Sequence, residues 1–187
     1  MRAGFLSLIA TAVTLVAPVV AQTCNSGSIC GSSSSPFYRL NTLSPVSDHF
    51  YTMSSTEYID TLIRTDISTV AEGVAAGIFA TQEGATVPLL RLYNNQPYND
   101  HVYTIDANEA AALEAEGYGL EGTAGYVYSE QVCSAVPLYR SYNSELGDHF
   151  FTTSLDEHNT FLGDGYVDQG IACYVPVAGV VPSQDVC

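Results

Sequence analysis

The chain has 187 residues, and twenty acidic side chains against five basic ones, all of them arginine, give a net charge of −15. Such a balance repels nucleic-acid phosphates and anionic membrane surfaces, so neither is expected as a partner. The length suits one ordinary domain, large enough to bury a core without depending on cross-links.

Arg2 is followed by small and apolar residues over 3–20, closing in Val19-Val20-Ala21. This is the plan of a secretory signal peptide, so residues 1–21 are predicted to be removed and the protein to be extracellular. The run is short for a bilayer span and is interrupted by Ser7, Thr11, Thr14 and Pro18. Residues 22–35, with serines at 32–35, read as a flexible lead-in, and 176–187 as a terminal tail. All five cysteines, Cys24, Cys30, Cys133, Cys173 and Cys187, fall in the secreted part, where oxidation favours disulfides. The preferred pairs join Cys133 to Cys173 and one N-terminal cysteine to Cys187; spacing alone does not assign connectivity.

Pro36, Pro88 and Pro137 each precede a short strand pattern, and each pattern carries an arginine: Arg39, Arg91 and Arg140. After a loop of turn formers come Asp48-His49-Phe50-Tyr51-Thr52, Asp100-His101-Val102-Tyr103-Thr104 and Asp148-His149-Phe150-Phe151-Thr152. Next, a capping residue stands three places before a glutamate: Ser54 with Glu57, Asp106 with Glu109, Ser154 with Glu157. That spacing predicts three short helices, because cap oxygen and carboxylate satisfy N–H groups left open in a first helical turn. Gly117 and Gly165 are expected to end the second and third helices, and the first copy carries about three extra residues near 64–69. Glu72-Gly73, Glu121-Gly122 and Gln169-Gly170 lead into final apolar strands.

The expected fold is α+β, mainly β: residues 36–187 as one domain of three pseudo-symmetric strand-strand-helix-strand repeats at 36–81, 88–130 and 137–175. A single unit cannot cover both faces of its sheet, so the three are predicted to close around a shared core, trefoil- or propeller-like.

On these residues the chain resembles an extracellular repeat family of unknown function whose units read Pro-apolar-Tyr-Arg-x-Tyr-Asn, then Asp/Glu-His-aromatic-Tyr-Thr, then Glu-Gly. The resemblance covers residues 36–175 and implies a secreted accessory or surface-binding role of the kind such repeats have beside lipases, peptidases and cell-wall hydrolases. The first copy departs from it with Asn41-Thr42 after its arginine, and the third with Phe151 and Gln169.

The three arginines are expected to stack on Tyr51, Tyr103 or Phe151 across their hairpins and to pair with acids such as Glu72 or Glu121. His49, His101 and His149 are expected to be held within their own units. A metal shared among these three is the alternative, without a metal-ligand spacing to support it. Glu57, Glu109 and Glu157 are assigned to capping. No Gly-x-Ser-x-Gly elbow and no His-Glu-x-x-His occurs, so no catalytic group, metal or other cofactor is expected.

Thirteen tyrosines and no tryptophan supply flat faces with polar tips. Tyr93, Tyr98, Tyr118, Tyr142 and Tyr166 are the candidate sugar-stacking residues, with Arg91, Arg140, His101 and His149 beside them. The leading expectation is a non-catalytic secreted binding module for a carbohydrate or cell-wall polymer, using up to three similar sites. The alternatives are a secreted protein-interaction factor, either effector or hydrolase inhibitor, and an extracellular hydrolase, for which no singular acid or base stands out.

Overall fold

A computed structural model describes residues 29–43, 47–95, 97, 99–180 and 182. The predicted signal peptide at 1–21, Cys24, Cys187, Tyr98 and most of the residues after 180 lie outside them. The described residues form nine strands and three helices. In chain order they are β1 (Ser35–Thr42), β2 (Asp48–Thr52), α1 (Ser55–Leu62), β3 (Thr69–Ile78), β4 (Thr86–Asn94), β5 (Asp100–Thr104), α2 (Ala107–Ala115), β6 (Gly119–Tyr128), β7 (Val136–Asn143), β8 (Asp148–Thr152), α3 (Leu155–Gly163) and β9 (Val167–Val175).

Each arginine-bearing strand is central to an antiparallel trio. β1 pairs with β2 and β3, β4 with β5 and β6, and β7 with β8 and β9. Arg39 stands opposite both Tyr51 and Gly73, and Arg91 opposite both Tyr103 and Gly122. The register slips at those points, leaving Glu72 and Glu121 as extra residues in β3 and β6. Gly73 and Gly122 have φ of +85° and +120° with no neighbour that a Cβ would strike, so backbone conformation alone calls for glycine there. The bulge re-aims each glutamate at the arginine across the ladder.

Ser54 and Ser154 cap α1 and α3 by accepting from the N–H of Glu57 and Glu157; Asp106 caps α2 by accepting from Asn108. The glutamate half of the predicted capping box is absent. Thr52 and Thr152 hydroxyls donate to Glu57 and Glu157 at 2.5 Å, and the Thr104 hydroxyl donates to Glu109. The same threonine oxygens accept from the cap N–H groups at 3.0 Å, which frees each carboxylate to reach elsewhere.

The predicted trefoil- or propeller-like closure of three helix-containing repeats is overturned by the strand order. The chain is mostly β and builds two antiparallel sheets, β2-β1-β3 and β5-β4-β6-β9-β7-β8. The larger sheet is joined at Tyr128–Tyr174, and β3 approaches β6 only through the isolated bridge Phe79–Tyr126. Repeated hydrophobic patterning specifies which face of a strand is buried, whereas these joins depend on single backbone pairs that leave no periodic trace.

One buried cluster draws on both sheets, with Phe37, Tyr51, Leu89, Leu92, Tyr103, Val127, Leu138, Phe151 and Val175 among its members. At its centre Tyr51, Tyr103 and Phe151 form a triangle of edge-on rings with centroids 5.4, 5.5 and 5.6 Å apart. The Tyr103 hydroxyl accepts from the Tyr51 N–H at 2.8 Å and donates to the Tyr51 carbonyl at 2.7 Å. Tyr51 makes the same two bonds to the backbone of Phe151, also at 2.8 and 2.7 Å. Buried edge-on pairs add roughly 0.5–1.5 kcal/mol each beyond the area they bury, and these hydroxyls also satisfy backbone groups inside the core.

The cysteine pairing differs from expectation. Cys133 is bonded to Cys30, and Cys173 is a free thiol buried in the core opposite Leu138. Cys133 lies in the β6–β7 connection with φ of +56°, where its side chain meets the N-terminal segment across a Cα separation of 5.5 Å. That segment is tied down further: the Gly31 N–H donates to Tyr128, and both the N–H and hydroxyl of Ser32 donate to Glu83. A Cβ on Gly31 would lie 2.2 Å from the Phe79 ring, so only glycine fits the approach.

Candidate functional site

Arg39 and Arg91 each sit between two hairpins and bind an acid from each, and Arg140 binds one. Arg39 Nε is 2.6 Å from Glu72 of β3, and its Nη2 is 2.7 Å from Glu157 of α3. Arg91 Nε is 2.7 Å from Glu121 of β6, and its two terminal nitrogens meet both oxygens of Glu57 of α1 at 3.1 Å. Arg140 is 2.9 Å from Glu109 of α2, with Gln169 at the corresponding place in β9. The guanidinium groups of Arg39 and Arg91 lie over Phe150 and Phe50, at 4.9 and 5.1 Å, and not over the expected Tyr51 and Tyr103. Those tyrosines turn their rings into the central triangle, and the Tyr51 hydroxyl and Arg39 Nη1 both donate to the Phe151 carbonyl.

Burial disfavours the Glu57 carboxylate, yet the bonds from Arg91 and Thr52 hold its pKa below the ordinary 4.5. Glu109 and Glu157 are lowered in the same way, against burial, by Arg140 with Thr104 and by Arg39 with Thr152. His101 and then Arg91 lower Glu121 against the opposing effect of burial. These acids are therefore ionised acceptors at neutral pH, poorly suited to proton donation.

The histidines, expected to be held in their own units, bond across to aspartates of other hairpins. His49 Nδ1 is 2.7 Å from Asp148, His101 Nδ1 is 2.8 Å from Asp48, and His149 Nδ1 is 2.8 Å from Asp100. In every case the backbone N–H of the histidine also donates to the other oxygen of the same carboxylate. The imidazoles do not share one centre. The carboxylates converge instead, with one oxygen of each of Asp48, Asp100 and Asp148 within 4.8 Å of the others. Desolvation opposes charging His101, but Asp48 and Glu121 raise its pKa to about 9. A cation at this position offsets the buried carboxylate that it binds.

The three surroundings differ in what covers them. Beside Arg39 and His49, the Phe161 ring lies parallel on Phe150 at 3.5 Å and edge-on to His49 at 5.5 Å. Tyr166 then donates its hydroxyl to Asp148. Phe161 is the seventh residue after the Ser154 cap. The seventh after Asp106 is Leu113, which packs on the core, and Tyr118 donates to Asp100. The seventh after Ser54 is Thr61, and among the described residues no tyrosine hydroxyl reaches Asp48.

Here a cleft of about 560 Å³ opens, lined by Thr42, Asp48, Phe50, Glu57, Thr61, Arg64 and Ile67 from the first part of the chain and by Arg91, Tyr93, Asn95, Asn99, His101 and Glu121 from the next. Tyr93 stacks on His101 at 4.5 Å and donates to Asn99 at 3.0 Å, which sets its ring along the wall. Arg64, half-exposed at the mouth, is paired with Asp66.

Of the sequence-predicted residues, the structure brings Arg91, Tyr93 and His101 together in this cleft. Tyr118 and Tyr142 border a separate recess of about 220 Å³ with Asp100 and Glu116. His149 and Tyr166 are buried, as is most of the Arg140 side chain, and His49 is 1% exposed. Phe50, Glu57, Thr61, Asn95 and Asn99 were not anticipated. The one usable signal was the contrast at the seventh helix position, Thr61 against Leu113 and Phe161.

No curated protein and no solved structure matches the chain. A family model described as a domain of unknown function matches residues 21–96 and again residues 37–176. The chain therefore belongs to the DUF5648 family.

Proposed function

We propose that the protein is a secreted, non-catalytic binding module that holds a carbohydrate or cell-wall polymer in the cleft between α1 and the β4–β5 hairpin. The observation that carries this reading is the lining of that cleft. The rings of Phe50 and Tyr93 stand among ionised acceptors, arginine donors and two amides, the mixture that a polyhydroxylated ring requires. In this reading the three arginine and Asp-His runs are copies of one unit, that of Arg39 sealed by Phe161 and Tyr166 and that of Arg140 left with only a small recess. Binding then uses one principal site, in place of three equal ones. Secretion is supported by the pattern of residues 1–21 and by the Cys30–Cys133 disulfide. A glycan and cell-wall polysaccharide screen of the purified protein, run beside Thr61→Phe, tests the proposal. Saturable binding by the wild type alone is expected, and no signal above background from either protein would refute it.

A second reading, a protein-interaction factor, draws on exposed apolar side chains of the outer strands: Val70 and Val74 on β3, Leu120 on β6, Val167 and Ile171 on β9. It predicts a stoichiometric partner in a pull-down from extracellular fluid, which substitutions in the cleft leave unaffected.

A further inference from the structure

The sealed surroundings of Arg39 serve as a template for what the open cleft accepts. Around Phe150 the protein supplies its own occupant: a flat ring, Phe161, stacked at 3.5 Å, and beside it, 5.0 Å between centroids, Tyr166, whose hydroxyl donates to Asp148. The remaining groups correspond closely in the cleft. Arg91 replaces Arg39 over the phenyl ring, at 5.1 against 4.9 Å. His101 replaces His49 beside it, at 4.8 against 4.9 Å. Glu57 and Glu121 replace Glu157 and Glu72 on the guanidinium. Only the ring and the hydroxyl donor lack counterparts among the described residues, because Thr61 ends short of Phe50.

Resting on the reading of the cleft as a ligand site, we infer that it takes a hydroxylated six-membered ring, one flat face against Phe50 and one hydroxyl donated to Asp48. The part of the Phe50 ring that borders the cleft, on a residue 6% exposed, attracts the C–H face of a pyranose or an arene, and the buried Asp48 carboxylate beside it selects a donor over an apolar edge. The polar rim of Thr42, Asn95, Asn99 and Glu121 supplies partners for further hydroxyls, which favours the pyranose over a simple phenol.

The test is saturation-transfer NMR on the purified protein with three probes: a panel of methyl pyranosides, p-cresol, and toluene, which has the ring without the hydroxyl. Wild type, Phe50→Leu, Thr61→Phe and Phe161→Thr are compared. Methyl pyranosides are expected to bind the wild type through one ring face and to bind Phe50→Leu and Thr61→Phe at least about tenfold more weakly, a change of about 1.4 kcal/mol. Competition by p-cresol and none by toluene supports the hydroxyl donor. Phe161→Thr, a change at a half-buried helix position, is expected to add a second site. Pyranoside binding that Phe50→Leu leaves unchanged overturns this inference while the carbohydrate reading survives. Binding of p-cresol alone supports the inference and defeats the carbohydrate reading. Silence from the pyranosides and p-cresol alike, or equal competition by toluene, overturns the inference.

Discussion

Phe161 lies flat on Phe150, 3.5 Å between centroids and 3° between planes, whereas the matching place above Phe50 belongs to Thr61. One helix position thus separates a sealed arginine pocket from an open one. Thr61→Phe is expected to fill the cleft and to raise stability by about 1 kcal/mol through added apolar burial. Thermal unfolding of the variant checks this. A fall in midpoint would mean that the two surroundings are less alike than their distances indicate.

The arginines hold neighbouring hairpins together. Arg39 joins β3 to α3 through Glu72 and Glu157, with its side chain 10% exposed. Replacing it by methionine strands two partly buried carboxylates, at a cost expected near 3 kcal/mol. Glu157→Gln, which keeps one acceptor and removes the charge, should cost about half as much. Chemical denaturation of the two variants, compared at constant slope, measures both.

Stability should fall on both sides of a mildly acidic plateau, for different reasons. The folded-state pKa values of Glu57, Glu109 and Glu157 are depressed, so their contribution is complete above the ordinary value of 4.5 and is lost as pH falls below it. That of His101 is raised from 6.5 to about 9, so its contribution is complete below 6.5 and is lost as pH rises through 9. Melting temperature against pH should therefore show a plateau between roughly pH 5 and 6.5 with a decline on each side. His101→Gln should flatten the part of the alkaline decline between pH 6.5 and 9.

Tyr51 and Tyr103 each send a hydroxyl to the backbone of the next member of the central triangle, and Phe151 has none to send. Phe151→Tyr would extend the same contact to Tyr103. A gain near 1 kcal/mol is expected from the added buried bond. A loss of that size or more on denaturation would show that the hydroxyl finds no acceptor.

Local features were readable from the sequence because each is written within a few residues. The caps at Ser54, Asp106 and Ser154 and the pairing of Glu72 and Glu121 with their arginines belong to this class. What the sequence did not disclose depends on partners from different hairpins. Glu57 caps nothing with its carboxylate because Thr52 occupies the cap N–H, and its true partner is Arg91, 34 residues away. Asp48 similarly answers to His101 and not to its neighbour His49. Cys30–Cys133 and the Tyr128–Tyr174 join are long-range choices of the same kind, and they overturned the expected disulfide and the expected closure. Tyr93 was selected for its ring, but only the fold shows that it lines the same cleft as Phe50.

The central claim is that one cleft, beside Arg91 and His101, receives the ligand. Isothermal titration of the best polysaccharide fragment from the screen into wild type and Thr61→Phe tests it most directly. The account predicts one molecule bound per chain and no measurable heat from the variant; three equivalents per chain, or unchanged binding by Thr61→Phe, would contradict it.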